Sequence, residues 1–207
     1  NKSAAALTTL GNLTLAGDLS VTGGEFVIDG HTVSRSPAGG TISVSNGATL
    51  RIKDTAVFPT GFGSPSLGNS STVLYSGGST AMAGITYGNL TVQDGSTRAF
   101  AGNATVAGQM TVASTATVND ASVTLTLNKN LANSGSINAE RMNLVFTDAA
   151  AQISGAGTTV AKDLTVNAGA GLTIGQDITL HGNLANNGSS FTVAANKVTM
   201  AGGNAAS

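Results

Sequence analysis

One five-residue motif restricts this chain more than any other feature: small or polar, Asn or Asp, apolar, Thr, apolar. It reads GNLTL at Gly11–Leu15, GDLSV at Gly17–Val21, GNLTV at Gly88–Val92 and GNATV at Gly102–Val106. It returns as GQMTV at Gly108–Val112, KDLTV at Lys162–Val166 and QDITL at Gln176–Leu180, with weaker copies at Gly40–Val44, Ala170–Ile174 and Asn196–Met200. Apolar and polar residues alternate within each copy, the pattern of a strand with one buried face. Leu13 and Leu15 are expected to point inward, and Asn12, Thr14 and Ala16 outward. Adjacent copies begin about 6 residues apart, room for a strand of about 4 and a corner of about 2. Hairpin meanders need about 8–12 residues between strands. The spacing therefore predicts a solenoid of three faces with about 18 residues per turn. Gly and Asn fall where corners need a left-handed backbone.

Composition fits this reading. Gly, Ala, Thr, Ser and Asn make up about three-fifths of the 207 residues, while charged residues are 9% and aromatics 4%. So few large apolar residues fold most easily if each is used repeatedly in the same way. The net charge of -1 offers no basic surplus for nucleic acid. No apolar run approaches the ~20 residues that span a bilayer. The absence of cysteine removes disulfides, thiolate metal sites and cysteine nucleophiles.

Longer similarities overlie the motif. Thr124–Gly135 matches Asp177–Gly188 without a gap, and Ala107–Val118 matches Ala161–Leu172. Both offsets are about 53–54 residues, close to three turns of 18. Gly11–Val33 matches Gly102–Thr124, and Leu74–Val92 resembles Val145–Val166. The end, Val198–Ser207, reads like the opening of that last segment, and the start, Asn1–Leu15, like its close. Two expectations follow: the chain is a piece of a longer repeat protein, or subunits stack head to tail, each completing its neighbour's turn. A start at Asn1 without Met fits a removed leader or a cut fragment.

Lys53–Ser71 breaks the pattern, with two of the three prolines and two phenylalanines. Pro59 and Pro65 cannot sit in central strands. This predicts a loop leaving the solenoid at about 53–71, and protruding loops on rigid scaffolds often carry contacts. The candidate subunit-contact residues are accordingly Leu7 and Leu10 at one end, Val198 and Met200 at the other, and Phe58 and Phe62 in the excursion.

No catalytic or metal-binding pattern emerges, and no cofactor is expected. His31 and His181 stand at unmatched repeat positions. HExxH, CxxC, GxSxG and GGxGxD are not found. Asp18, Asp163 and Asp177 occupy the motif position that Asn12, Asn89, Asn103 and Asn183 hold elsewhere. That interchange suggests side-chain hydrogen bonding at corners rather than acid–base work. Thr14, Thr91, Thr105, Thr111, Thr165 and Thr179 share the central motif position. Ranks of outward threonine would suit ice binding, but copies 6 apart fall on different faces, and β-propensity explains Thr there.

The motifs GNLTV, GNATVAGQMTV, GSIN and NLVFTDAAAQISGAG resemble secreted bacterial β-solenoid repeat proteins, the filamentous-haemagglutinin-like and autotransporter-passenger-like adhesins and filament proteins. The resemblance covers nearly the whole chain except Lys53–Ser71. It implies a right-handed parallel β-helix, secretion, and an adhesive or structural role at the bacterial cell surface.

The expectation is therefore an all-β chain, residues 1–207 forming a single parallel β-solenoid of roughly ten turns, about 50 Å long at ~4.8 Å per turn. The leading function is a structural subunit of an extracellular filament or surface appendage, stacking on itself. The alternatives are an adhesin segment binding glycan or protein through surface loops, and an ice-binding solenoid; an enzyme is not expected.

Overall fold

The computed structural model describes residues 6–202. They form an all-β solenoid in which every strand pair is parallel. Among the described residues no helix is long and apolar enough to cross a membrane. Face 1 is one ten-stranded sheet, so the chain makes about ten turns. Its strands are Ala6–Thr8, Glu25–Asp29, Thr49–Lys53, Thr72–Ser76, Asn89–Gln93, Met110–Val112, Leu131–Asn133, Ala151–Ser154, Gly171–Ile174 and Ser190–Val193. Each is followed by a strand or bridge on face 2 and, in the first nine turns, by a strand on face 3. In turns 7 and 8 faces 2 and 3 are made by single long strands, Ser136–Phe146 and Thr158–Val166, which carry the ladder through the corner.

Alternation places two columns of side chains inside face 1, and the longer of them runs from the first turn to the last. Leu7, Phe26, Leu50, Val73, Leu90, Met110, Leu131, Ile153, Ile174 and Val193 stack in register from turn to turn. Leu50, Val73, Leu90, Met110, Leu131, Ile153 and Ile174 are all fully buried. One or two apolar residues per strand thus extend a continuous core, which is how a chain with so little large apolar content folds. Another local rule sets the exit from face 1. The residue directly after the strand is left-handed in turns 2 to 5: Gly30, Asp54, Gly77 and Asp94, with φ of 68, 54, 64 and 57°. Gly and Asp are the types that adopt this conformation at least cost.

The turns are longer than the motif spacing implied. Successive partners on face 1 lie between 17 residues apart, Thr72 to Asn89, and 24 apart, Glu25 to Thr49. All but one step exceeds 18, because corners such as Ser36–Thr41 hold more than two residues. The longer similarities are also not whole turns. Leu125 and Leu127 lie on face 3, whereas their counterparts Ile178 and Leu180 lie on face 2. Gly11–Val33 and Gly102–Thr124 are displaced in the same way, with Leu13 on face 2 and Ala104 on face 3. The repeating object is a strand and its corner, and any face accepts it.

Lys53–Ser71 does not leave the solenoid. It is turn 3, with Thr60 bridging Ser34 and Ser66–Leu67 pairing with Ser43–Val44. Phe58 is buried, and Phe62 packs against the core from a half-buried position. The prolines are accommodated because the ladder stops there. Thr60 donates backward to Val33 and Gly68 to Val44. Alternation therefore turns the positions of Pro59 and Pro65 toward turn 4, where faces 2 and 3 carry no backbone pairing among the described residues.

Candidate functional site: the open ends and the polar interior

Both ends of the described solenoid expose members of the inward ladders. At the first turn Leu7 is 68% exposed and Leu10 94%. An open mouth of about 600 Å³ is lined there by Leu7, Leu13, Leu15, Leu19, Val21 and Phe26, among others. At the last turns Met200 is 51% exposed, Leu184 and Val193 are 37% exposed, and Val198 is half-buried. The strands nearest each end have a neighbour on one side only. Of the six candidate contact residues, Leu7, Leu10, Val198 and Met200 thus lie at these ends. Phe58 and Phe62 are turned into the wall of turn 3.

The Asn/Asp motif position proves to be a device for joining turns. Its side-chain Oδ1 accepts the backbone N–H of a residue one turn ahead: Asn12 from Thr32, Asp18 from Thr41, Asn89 from Gln109, Asn103 from Thr124, Asp163 from Asn183 and Asp177 from Lys197, at 2.7–3.0 Å. Asn46, Asp120 and Asn130 do the same toward Ser70, Arg141 and Gln152. The oxygen is common to both residue types, which explains why they interchange. Three of the nine donors, Thr41, Gln109 and Asn183, follow a glycine, and there the contact leaves no room for a side chain. A Cβ at Gly108 or Gly182 would overlap the Oδ1 of Asn89 or Asp163. Gly11 and Gly17 hold this motif position in turn 1, and a Cβ there would meet nothing within 4 Å. Asp163→Asn is expected to leave stability within about 0.5 kcal/mol, whereas Asp163→Ala removes the acceptor and costs about 1–2 kcal/mol. Urea denaturation followed by circular dichroism separates the two.

The other acids are also engaged. Glu25 pairs with Arg51 at 2.7 Å and Asp29 with Lys53 at 3.0 Å, both between turns 2 and 3. The hydrogen bond and charge of Asp29 hold the Lys53 ammonium above its ordinary pKa. Asp148 caps the Ala150 N–H at 2.9 Å. His181 lies 3.8 Å from Glu140, and no group of three or more metal-ligating side chains gathers among the described residues. The motif threonines divide among the faces: Thr91 and Thr111 on face 1, Thr14 and Thr179 on face 2, Thr105 and Thr165 on face 3. The rank Thr86, Thr105, Thr126 is interrupted at Val145 before Thr165.

Two buried polar clusters lie inside the tube, and neither is visible in the motif pattern. Arg98 is fully buried on face 2. Its guanidinium donates to the carbonyls of Asp54 at 3.1 Å, Gly77 at 2.6 Å and Thr80 at 3.0 Å, and to the Thr80 hydroxyl. It lies 5.2 Å from the centre of the Tyr75 ring, within cation–π range. The Tyr87 hydroxyl donates to the Ala83 carbonyl at 2.6 Å and lies 3.4 Å from that of Tyr75. Asn133, Thr159 and Gln176 form the second cluster, also buried. A signal for both existed: each interrupts an alternating strand at an inward position.

Burial raises the pKa of both phenols, that of Tyr87 well above the ordinary value, with Tyr75 adding to the effect. The neutral forms are therefore favoured by folding. Stability from these groups is complete below an unfolded pKa of about 10 and is lost as pH rises through the raised folded values. Phenolate absorbance at 295 nm is expected to appear together with loss of the β signal. Phenolate formed while the fold persists would contradict the burial.

The fold defines the class: a three-faced parallel β-solenoid of about ten turns, its interior built of ladders and its first and last strands, among the described residues, paired on one side only. No protein-family model matches the chain, and comparison with curated proteins and with solved structures finds no similar chain.

Proposed function

We propose that the chain is a structural subunit of an extracellular bacterial filament or surface appendage, assembled by stacking solenoids end on end. The observation that carries this reading is the state of the longer inward face 1 column. It begins on exposed Leu7 and finishes on exposed Val193, while its middle members are fully covered by the turns above and below. A second copy, like adjoining repeats of a longer chain, offers what the first and last described turns expose: parallel strand edges for backbone groups and aliphatic side chains for the ladder residues. Low charge keeps electrostatic repulsion between copies small. The resemblance to secreted bacterial solenoids supports the location.

Negative-stain imaging and sedimentation of the purified full chain test the proposal. Rods longer than the ~50 Å of one copy, growing with concentration, are expected. Leu7→Lys with Val193→Lys should leave single short rods with an unchanged β spectrum, since both positions are exposed. Wild-type chains that remain single rods at every concentration would overturn it.

A further inference from the structure

The junction between turns 3 and 4 differs from the rest of the tube. Between turns 7 and 8 the backbone ladder runs over all three faces, from Leu131–Ala132 with Ile153–Ser154 through Ser136–Ala139 with Thr158–Ala161 to Asn143–Phe146 with Asp163–Val166. Between turns 3 and 4 it consists of face 1 alone, Thr49–Lys53 with Thr72–Ser76. Pro59 and Pro65 have no N–H to offer across the gap, so the interruption is written into the sequence.

Side chains span it instead. The Thr80 hydroxyl donates to the Ala56 carbonyl at 2.7 Å, from turn 4 to turn 3. Arg98, in turn 5, reaches past turn 4 to the Asp54 carbonyl of turn 3 while also holding Gly77 and Thr80. Large side chains fill the space behind: Phe58, Tyr75, Met82, Tyr87 and Phe100 are all buried in the common core. The filling is imperfect for polar groups, since the Ser76 hydroxyl and Arg98 Nε are buried there without partners, and such groups weaken a site.

In a one-dimensional solenoid, cooperativity is carried by the interface between neighbouring turns. We propose that this chain is two cooperative blocks, turns 1–3 and turns 4–10, that part at this junction, with Arg98 as the latch between them. Heating, denaturant or axial load then opens the tube at a fixed place, releasing the first block while the second keeps its fold.

Hydrogen exchange with mass spectrometry on the full chain, at low urea, reads this directly. A step is expected, with residues 6–68 sharing one lower protection level and residues 89–174 a level at least about tenfold higher. Simple fraying from the first turn instead gives protection that climbs smoothly through turns 1, 2, 3 and 4, and that result would overturn the proposal. Arg98→Met should lower protection in turns 2 and 3 by about tenfold or more while leaving turns 6–9 unchanged. An equal loss in both places would count against the latch. Thr80→Val removes only the hydroxyl and is expected to keep the fold even if Arg98→Met does not. It should give the same pattern at smaller amplitude, and its failure to affect turns 2 and 3 selectively also overturns the proposal.

Discussion

Gly78→Ala is expected to cost about 4 kcal/mol or more, enough to prevent much of the chain from folding at ordinary temperature. Gly78 has φ of +61°. An added Cβ would overlap the Asp54 carbonyl oxygen and lie 2.5 Å from its carbon. Both obstacles are backbone, so no rotamer change relieves them, and the carbonyl concerned is one that Arg98 holds. The contrast is Gly95→Ala. Gly95 is also left-handed, with φ of +71°, but an added Cβ would meet nothing within 4 Å. Only the conformational cost of about 1 kcal/mol applies there. Denaturation midpoints of the pair separate close packing between turns from backbone strain. Equal midpoints would mean that the approach of turn 4 to turn 3 is looser than described.

The second large effect is expected at Asn133. It stands in a buried face 1 column after Ile28, Ile52, Tyr75, Val92 and Val112, so valine would continue the ladder. Its side chain donates to the Thr158 carbonyl at 2.8 Å and the Thr159 hydroxyl at 2.9 Å, and accepts the Gly135 N–H at 3.1 Å. Gln176, with its amide nitrogen facing inward, donates to the carbonyls of Asn133 and Ser154 at 3.0 and 2.9 Å and accepts from Thr159. Asn133→Val fits by volume yet strands these partners without water. The expected loss is about 2–4 kcal/mol. Combining it with Thr159→Val and Gln176→Leu should recover a large part of that loss, because an apolar cluster leaves fewer groups unpaired. A triple variant less stable than Asn133→Val alone would contradict this account.

Strand direction and the three-faced plan were legible because alternation and spacing are local and recur with each motif. The hydrogen-bonding use of Asp18, Asp163 and Asp177 was legible from their exchange with asparagine. Turn length was not, since the motif counts one strand and a minimal corner, whereas segments such as Ser36–Thr41 add residues without leaving the wall. In the sequence alone, Pro59 and Pro65 fit a departing loop. A missing donor is equally compatible with a strand whose neighbour on that side is not bonded, and only the three-dimensional ladder distinguishes the two. Arg98 and Asn133 are legible only as polar breaks in alternating strands, and what they bind is not. A polar residue at an inward position is identified by its partners one or two turns away, and those partners are backbone carbonyls, which look alike in any sequence.

The indifference of strand-and-corner units to the face they occupy gives the molecule the tolerance of a screw thread. Adding or deleting one unit advances everything beyond it by a third of a revolution, and each strand still lands on an equivalent seat. Away from the Arg98 and Asn133 clusters, whose partners sit on fixed neighbouring turns, such a chain can change length by thirds of a turn where a fold with specialised faces could not.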